Sequence, residues 1–303
     1  MTESAISVRG LRKSYGENEA VRGVDLEVSP GEVFAFLGPN GAGKTTTVEI
    51  LEGYRERSAG DVSVLGVDPG RATAAWRARI GIVLQTNKTQ RELTARETVA
   101  MYAGYFPRPR PVDETVELVG LAEQRDTRVT KLSGGQQRRL DVALALIGDP
   151  DLLFLDEPTT GFDPSARRTA WGLISDLRSL GKTVFLTTHY MDEAQALADR
   201  IAIIAAGKII AEGTPADIGG RASAATVVRF RLPVGAKPTG LKTAVGATTD
   251  AGDGTFSLST EDPVRTLHAL TGWALQRKVA ITDLTVDRPS LEDVYLAVTQ
   301  EPT

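Results

Sequence analysis

Residues 33–37, Val-Phe-Ala-Phe-Leu, run straight into Gly38-Pro39-Asn40-Gly41-Ala42-Gly43-Lys44-Thr45, and this junction constrains the fold more than any other stretch. Five consecutive apolar residues read as a strand buried on both faces, which belongs in a parallel sheet. The glycines let the backbone wrap with successive N–H groups turned inward. A helix expected from Thr45 to Glu52, stopped by Gly53, adds its positive end. A strand, a G-x-x-x-x-G-K-[ST] loop and a helix N-terminus together form a cradle for phosphate. In it Lys44 places a point charge on the outer phosphates, Thr45 offers a hydroxyl to Mg²⁺, and Thr46 follows in the first helical turn.

Similar apolar runs recur at Ile80 to Leu84, Leu152 to Leu155, Val184 to Leu186 and Ile201 to Ile204. Helical patterns lie between several of them, as at Leu140, Ala143, Leu144 and Ile147, which share one helix face. Buried strands alternating with helices predict an α/β fold with a mostly parallel sheet covered on both sides. Val24, Leu26 and Val28 alternate with acids and read as a half-buried strand near the N-terminus, where antiparallel strands are expected. Between Gln85 and Pro150 helical patterns dominate, so residues 86–150 are expected to be a helical insertion. After Gly219-Gly220 the texture shifts to Ala, Thr and Gly with short alternating runs, Val227 to Leu232 and Phe256 to Leu258. A helix over Val264 to Leu270, a strand over Ile281 to Val286 and a last helix opened by Ser290 and Asp293 are expected there. The organisation predicted is a nucleotide-binding domain over 1–220 and a small α+β accessory domain over 221–303.

A net charge of −4 shows no basic excess, so nucleic acid is not an expected partner. The chain has no cysteine, which excludes disulfides and thiolate metal sites. No apolar run approaches the roughly 18 residues of a membrane span, so service to a membrane is expected from the water side.

Leu152 to Leu155 ends in Asp156-Glu157, two carboxylates at the end of a buried strand. With a phosphate loop upstream, an acid at Asp156 suits Mg²⁺, and Glu157 suits the attacking water. Leu132-Ser133-Gly134-Gly135-Gln136 reads locally as an S-x-x-Q capping box at a helix start. Capping does not account for two glycines in that first turn, where each costs about 1 kcal/mol against alanine. Close approach of an anion to the backbone would, which makes this a second candidate anion site.

In chain order, the phosphate loop at 38–45, Leu132 to Gln136 and the strand-end acids Asp156-Glu157 resemble the ABC (ATP-binding cassette) ATPases, a family of P-loop NTPases. The resemblance covers residue 4 to about 215. It implies that Tyr15 stacks on adenine, that Gln85 touches Mg²⁺ and water and couples to a transmembrane partner, and that His189 contacts the γ-phosphate. His268, the other histidine, is read as ordinary core or surface. Gly161-Phe162-Asp163 resembles the family's loop after the acids, with Phe162 where Leu is usual. The family also implies two subunits, preferably identical, paired head to tail. Each ATP would then lie between one subunit's phosphate loop and Ser133 to Gln136 of the other. Leu93 to Glu97 and Pro289 to Leu296 resemble the ATP-binding subunits of drug exporters of the daunorubicin-resistance type. ATP hydrolysis coupled to export through a separately encoded permease is therefore expected, with the subunit peripheral on the cytoplasmic side of the membrane. A soluble ABC ATPase acting on ribosomes or nucleic acid, and a nucleotide-gated regulator, are the rival readings.

Overall fold

The computed structural model describes residues 4–83, 92–220, 225–233, 236, 238–287, 291, 292 and 295. It divides into two compact units, 1–215 and 216–303. The first unit contains β1 (Ile6–Tyr15), β2 (Asn18–Val28), β3 (Val33–Leu37), α1 (Lys44–Leu51), β4 (Ala59–Val64), α2 (Ala74–Arg77) and β5 (Ile80–Val83). It continues with α3 (Ala95–Ala103), α4 (Val112–Leu118), α5 (Gly134–Leu146), β6 (Leu152–Asp156) and α6 (Pro164–Ser179). β7 (Thr183–Thr188), α7 (Met191–Leu197), β8 (Arg200–Ala205) and β9 (Lys208–Gly213) complete it.

Six strands form one sheet in the order β5-β6-β7-β3-β8-β9, parallel except for the β8–β9 pair. The continuous apolar runs are its buried strands, as expected. Phe34, Phe154 and Phe185 lie in register on β3, β6 and β7, and Phe185 packs 5.5 Å from Phe34 and 5.8 Å from Phe154 between ring centroids. A Cβ on Gly81 of β5 would meet the Ala145 carbonyl oxygen at 2.4 Å, so only glycine lets α5 lie this close to the strand.

A second, three-stranded antiparallel sheet has the order β2-β1-β4. Its inward residues Ile6, Val8, Val24, Leu26 and Val28 share one core with Phe34 and Phe36 of the large sheet and with Val48 and Leu51 of α1. The strand read at Val24 to Val28 is the second half of an 11-residue strand. The elements described between β5 and β6 are helical, with α3, α4 and α5 packed on one another.

The second unit has β10 (Thr226–Arg231), α8 (Leu241–Val245), β11 (Thr249–Asp250), β12 (Thr255–Thr260), α9 (Pro263–Arg277) and β13 (Thr282–Asp287). Its sheet order is β11-β12-β10-β13. Val228, Phe230, Phe256 and Leu258 form its core with Leu270, Trp273 and Ala274 of α9. That helix runs seven residues past the end predicted at Leu270, because Trp273 and Ala274 carry the buried stripe across Thr271-Gly272. Ser290 and Asp293, expected to open a last helix, lie outside the described residues. Among the described residues no helix is long and apolar enough to cross a membrane.

Candidate functional site

The phosphate loop leaves the C-terminal end of β3, which is hydrogen-bonded to β7 and β8. Loops at the C-terminal ends of parallel strands form the usual crevice for ligands. Gly38 is required by packing, since a Cβ there would sit 2.4 Å from the Ile204 carbonyl oxygen. Gly41 (φ 81°) and Gly43 (φ 104°) adopt left-handed conformations that other residues resist. Asn40 precedes Gly41 and Ala42 lies between the two glycines, its N–H donating to the Pro39 carbonyl at 3.2 Å. No side chain caps α1, so its first N–H groups face the loop rather than a built-in acceptor. The Lys44 ammonium is buried and donates to the carbonyls of Gly38 (2.6 Å) and Pro39 (3.2 Å). Burial pulls its pKa down, and the nearby carboxylates Glu157 and Asp156 pull the other way.

β6 and β7 are adjacent, so the ends carrying Asp156-Glu157 and His189 meet beside the loop. Asp156 accepts the Thr187 hydroxyl at 2.5 Å. Glu157 has a left-handed backbone (φ 45°), a strained state for a non-glycine residue that costs about 1–3 kcal/mol. Its N–H donates to the Thr187 carbonyl at 3.1 Å, its carboxylate accepts the Thr160 hydroxyl at 3.0 Å, and His189 Nδ1 lies 3.3 Å from its other oxygen. A cavity of about 650 Å³ is lined by Lys44, Thr45, Thr46, Asn40, Gly41, Gly43, Glu157, Thr160 and His189. Tyr15 closes the end of β1, 41% exposed, its hydroxyl 3.5 Å from that of Thr46.

Ser133 caps α5 as a capping box, accepting the Gln136 N–H at 3.3 Å while its own N–H donates to the Gln136 side chain at 2.8 Å. The two glycines behind it answer to nothing in this chain. A Cβ on Gly134 would meet no atom within 4 Å, one on Gly135 only Ala166 Cβ at 4.0 Å, and neither has a positive φ. This helix end opens on a different cavity, of about 530 Å³, shared with Gly161, Phe162 and Asp163. Within one chain the structure therefore does not join Ser133–Gln136 to the Lys44 cavity, although Thr160 borders both. Gln85 lies outside the described residues. His268 is exposed on α9, as its plain reading expected.

Several contributors carried no sequence signal. Thr187 braces both carboxylate-bearing residues, but only strand register places it there. Glu193 of α7 is fully buried, accepts Thr159 at 2.8 Å and Trp171 at 3.2 Å, and is pushed up by burial. Glu52, just past α1, is buried and pushed up to about 8, chiefly by desolvation and then by Asp156.

Comparison with known proteins agrees with this geometry. A family model described as ABC transporter matches residues 21–160, and one for the C-terminal domain of ABC transporter domain-containing protein-like chains matches 226–290. The chain is 38% identical to the daunorubicin resistance ATP-binding protein DrrA3 of Streptomyces coeruleorubidus, over 99% of this chain and 97% of that one. It is 43% identical to a Nod factor export ATP-binding protein I of Paraburkholderia xenovorans, over 71% of this chain and 72% of the relative. Among solved structures, cbiO1 from Clostridium perfringens, part of an ABC transporter complex, superposes with a TM-score of 0.65 at 27% identity, covering 71% of this chain and 90% of its own. A dimeric ATP-binding cassette in a post-hydrolysis state, bound to ADP and phosphate, gives 0.62 at 25% identity, covering 69% and 98%.

Proposed function

Because the chain belongs to the ABC transporter family, as an ATP-binding and ATP-hydrolysing subunit, we propose that it powers export through a separately encoded membrane permease. The observation that carries this reading is the cavity lined by Lys44, Thr45, Glu157 and His189. The backbone of Gly38 to Thr45 and the α1 N-terminus receive the β- and γ-phosphates, Lys44 adds its charge, and Tyr15 stacks on adenine. Thr45 and Asp156, with Gln85, offer the hard oxygen donors that Mg²⁺ prefers, and the bound ion would neutralise charge on the phosphate oxygens. Glu157 accepts a proton from water as its oxygen bonds to the γ-phosphorus and the bond to the ADP oxygen breaks. His189 contacts the γ-phosphate. ATP and water become ADP and phosphate, and the energy leaves the subunit as domain closure and reopening.

The second anion site is assigned to the nucleotide of a second, identical subunit. The open space beside Gly134 and Gly135 supports this, because no contact within the chain calls for glycine there. Gly135→Ala is expected to raise the thermal midpoint by the few degrees that up to about 1 kcal/mol of helix propensity gives. ATP-dependent pairing and turnover should nonetheless fall at least about tenfold. Size-exclusion chromatography with ATP, set beside a melting curve, reads both. A variant that pairs and hydrolyses normally removes the second-subunit role from this helix end.

The cargo is proposed to be an antibiotic-like or lipid-like compound, in keeping with the daunorubicin and Nod factor systems named among the relatives. The subunit would work peripherally on the cytoplasmic face of the membrane, with residues 221–303 as an accessory domain that binds a partner or regulates. The deciding experiment is a pull-down of tagged, ATP-loaded Glu157→Gln protein from detergent-solubilised host membranes. A polytopic membrane protein in stoichiometric amount is expected. Ribosomal or other soluble partners instead would keep the ATPase and overturn the transporter.

A further inference from the structure

Arg138 lies on α5 two residues beyond Gln136, about 3 Å further along the helix axis. Its guanidinium leaves the helix and reaches the loop after β6. Nη2 donates to the Asp156 carbonyl at 2.8 Å and to the Glu157 carbonyl at 3.4 Å, and Nε donates to the Pro158 carbonyl at 3.2 Å. Three successive backbone carbonyls are thus held by one planar fork. The middle one belongs to the residue with the strained, left-handed backbone. A strained φ persists only where its surroundings over-determine it, and five donors in a fixed plane do that better than any other side chain.

The arrangement carries a cost. Burial pulls the Arg138 pKa down, opposed by the charges of Asp141 on its own helix, Asp156 on β6 and Glu193 on α7. Pro158 and Thr159 are buried and Asp156 and Glu157 half-buried, so water reaches these carbonyls poorly and the guanidinium supplies the donors that hold the turn. The turn held here is the one that aims the Glu157 carboxylate at the Lys44 cavity.

We propose that Arg138 is a positioning residue for hydrolysis, fixing the backbone turn that aims Glu157 and tying that turn to the helix whose N-terminus carries Ser133 to Gln136. The inference rests on Glu157 as the general base. It gives the second subunit's nucleotide a rigid route to the base. An anion seated at the α5 N-terminus bears on the helix, and the Arg138 fork transmits any shift of that helix to the Glu157 turn. These three bonds run to the turn that carries Glu157, so their loss should fall on kcat more than on ATP binding.

The test is basal ATP hydrolysis by the purified full chain carrying Arg138→Met or Arg138→Lys, with kcat and KM measured separately and a melting curve for each. Arg138→Met is expected to lose at least about tenfold in kcat with KM for ATP within about twofold of the parent. Arg138→Lys, which keeps the charge and part of the donor set, should fall between. Parental kcat in both variants overturns the proposal, as does a loss in which KM rises and the melting point falls in step with kcat. Should the methionine variant fail to fold, the lysine variant decides: a drop of about threefold or more at unchanged KM supports the role, and parental kcat refutes it. Glu157→Gln in the same assay separates the two layers. If it turns over normally, the site reading itself fails. If it is inactive while Arg138→Met is normal, only the positioning role fails.

Discussion

Glu157→Gln is expected to bind ATP as the parent does and to hydrolyse it at least about tenfold more slowly, with a loss of about a hundredfold in keeping with general-base catalysis. The substitution is nearly isosteric. The side-chain oxygen that accepts the Thr160 hydroxyl remains, as do the backbone bonds to Thr187 that hold the turn. What disappears is the carboxylate basicity that can take a proton from water. Glutamine cannot accept that proton at any accessible pH, so the defect should persist across a pH profile instead of shifting it. Binding is spared because Glu157 shares the cavity with Lys44 but is itself an anion, and an anion gives no favourable contact to phosphate. Phosphate release at saturating ATP, beside equilibrium nucleotide binding, makes the measurement. Near-parental turnover would strip Glu157 of its role, and loss of binding would make it a structural residue of the cavity.

How legible the site was depended on whether each part is written locally. The phosphate loop is one continuous segment whose glycines answer to local geometry, positive φ at Gly41 and Gly43 and a close approach at Gly38, so the motif alone located it. The Ser133–Gln136 capping box is likewise local and formed as read. Apolar runs named the buried strands because both faces of that sheet are covered. β1 escaped in detail because bulges between Val8 and Leu11 and between Lys13 and Ser14 break its alternation, with Gly10 left-handed in the first of them. β9 escaped because it is an antiparallel edge strand that is only half-buried. Thr187, Arg138 and Glu193 are ordinary residues in sequence, and only strand register and helix packing carry them to Asp156, to the carbonyls of residues 156–158 and to Thr159 respectively. Capping leaves Gly134 and Gly135 unexplained, and so does the packing around them within this chain.

Lys44→Ala is expected to weaken ATP binding by about 10- to 100-fold, the effect of losing charge-assisted hydrogen bonds worth about 1.5–3 kcal/mol at about 1.4 kcal/mol per factor of ten. Lys44 is 7% exposed, and its bonds to the Gly38 and Pro39 carbonyls tie the start of the loop to the start of α1. It therefore does two things at once, bracing the loop and presenting charge. The alanine variant loses both, but the two losses have different signatures. Bracing acts on the fold, and its loss is partly offset because a desolvated cation is also removed, so the melting point should move little. Charge acts on the ligand, and its loss appears in nucleotide affinity and grows weaker as added salt screens the parent. Titration of nucleotide at two salt concentrations separates these contributions. Unchanged affinity would mean that the inward N–H groups of the loop and the α1 N-terminus hold the phosphates by themselves. Lys44 would then be a brace within the loop, and the contrast with Glu157→Gln, binding kept and chemistry lost, would no longer divide the cavity into a wall that binds and a wall that reacts.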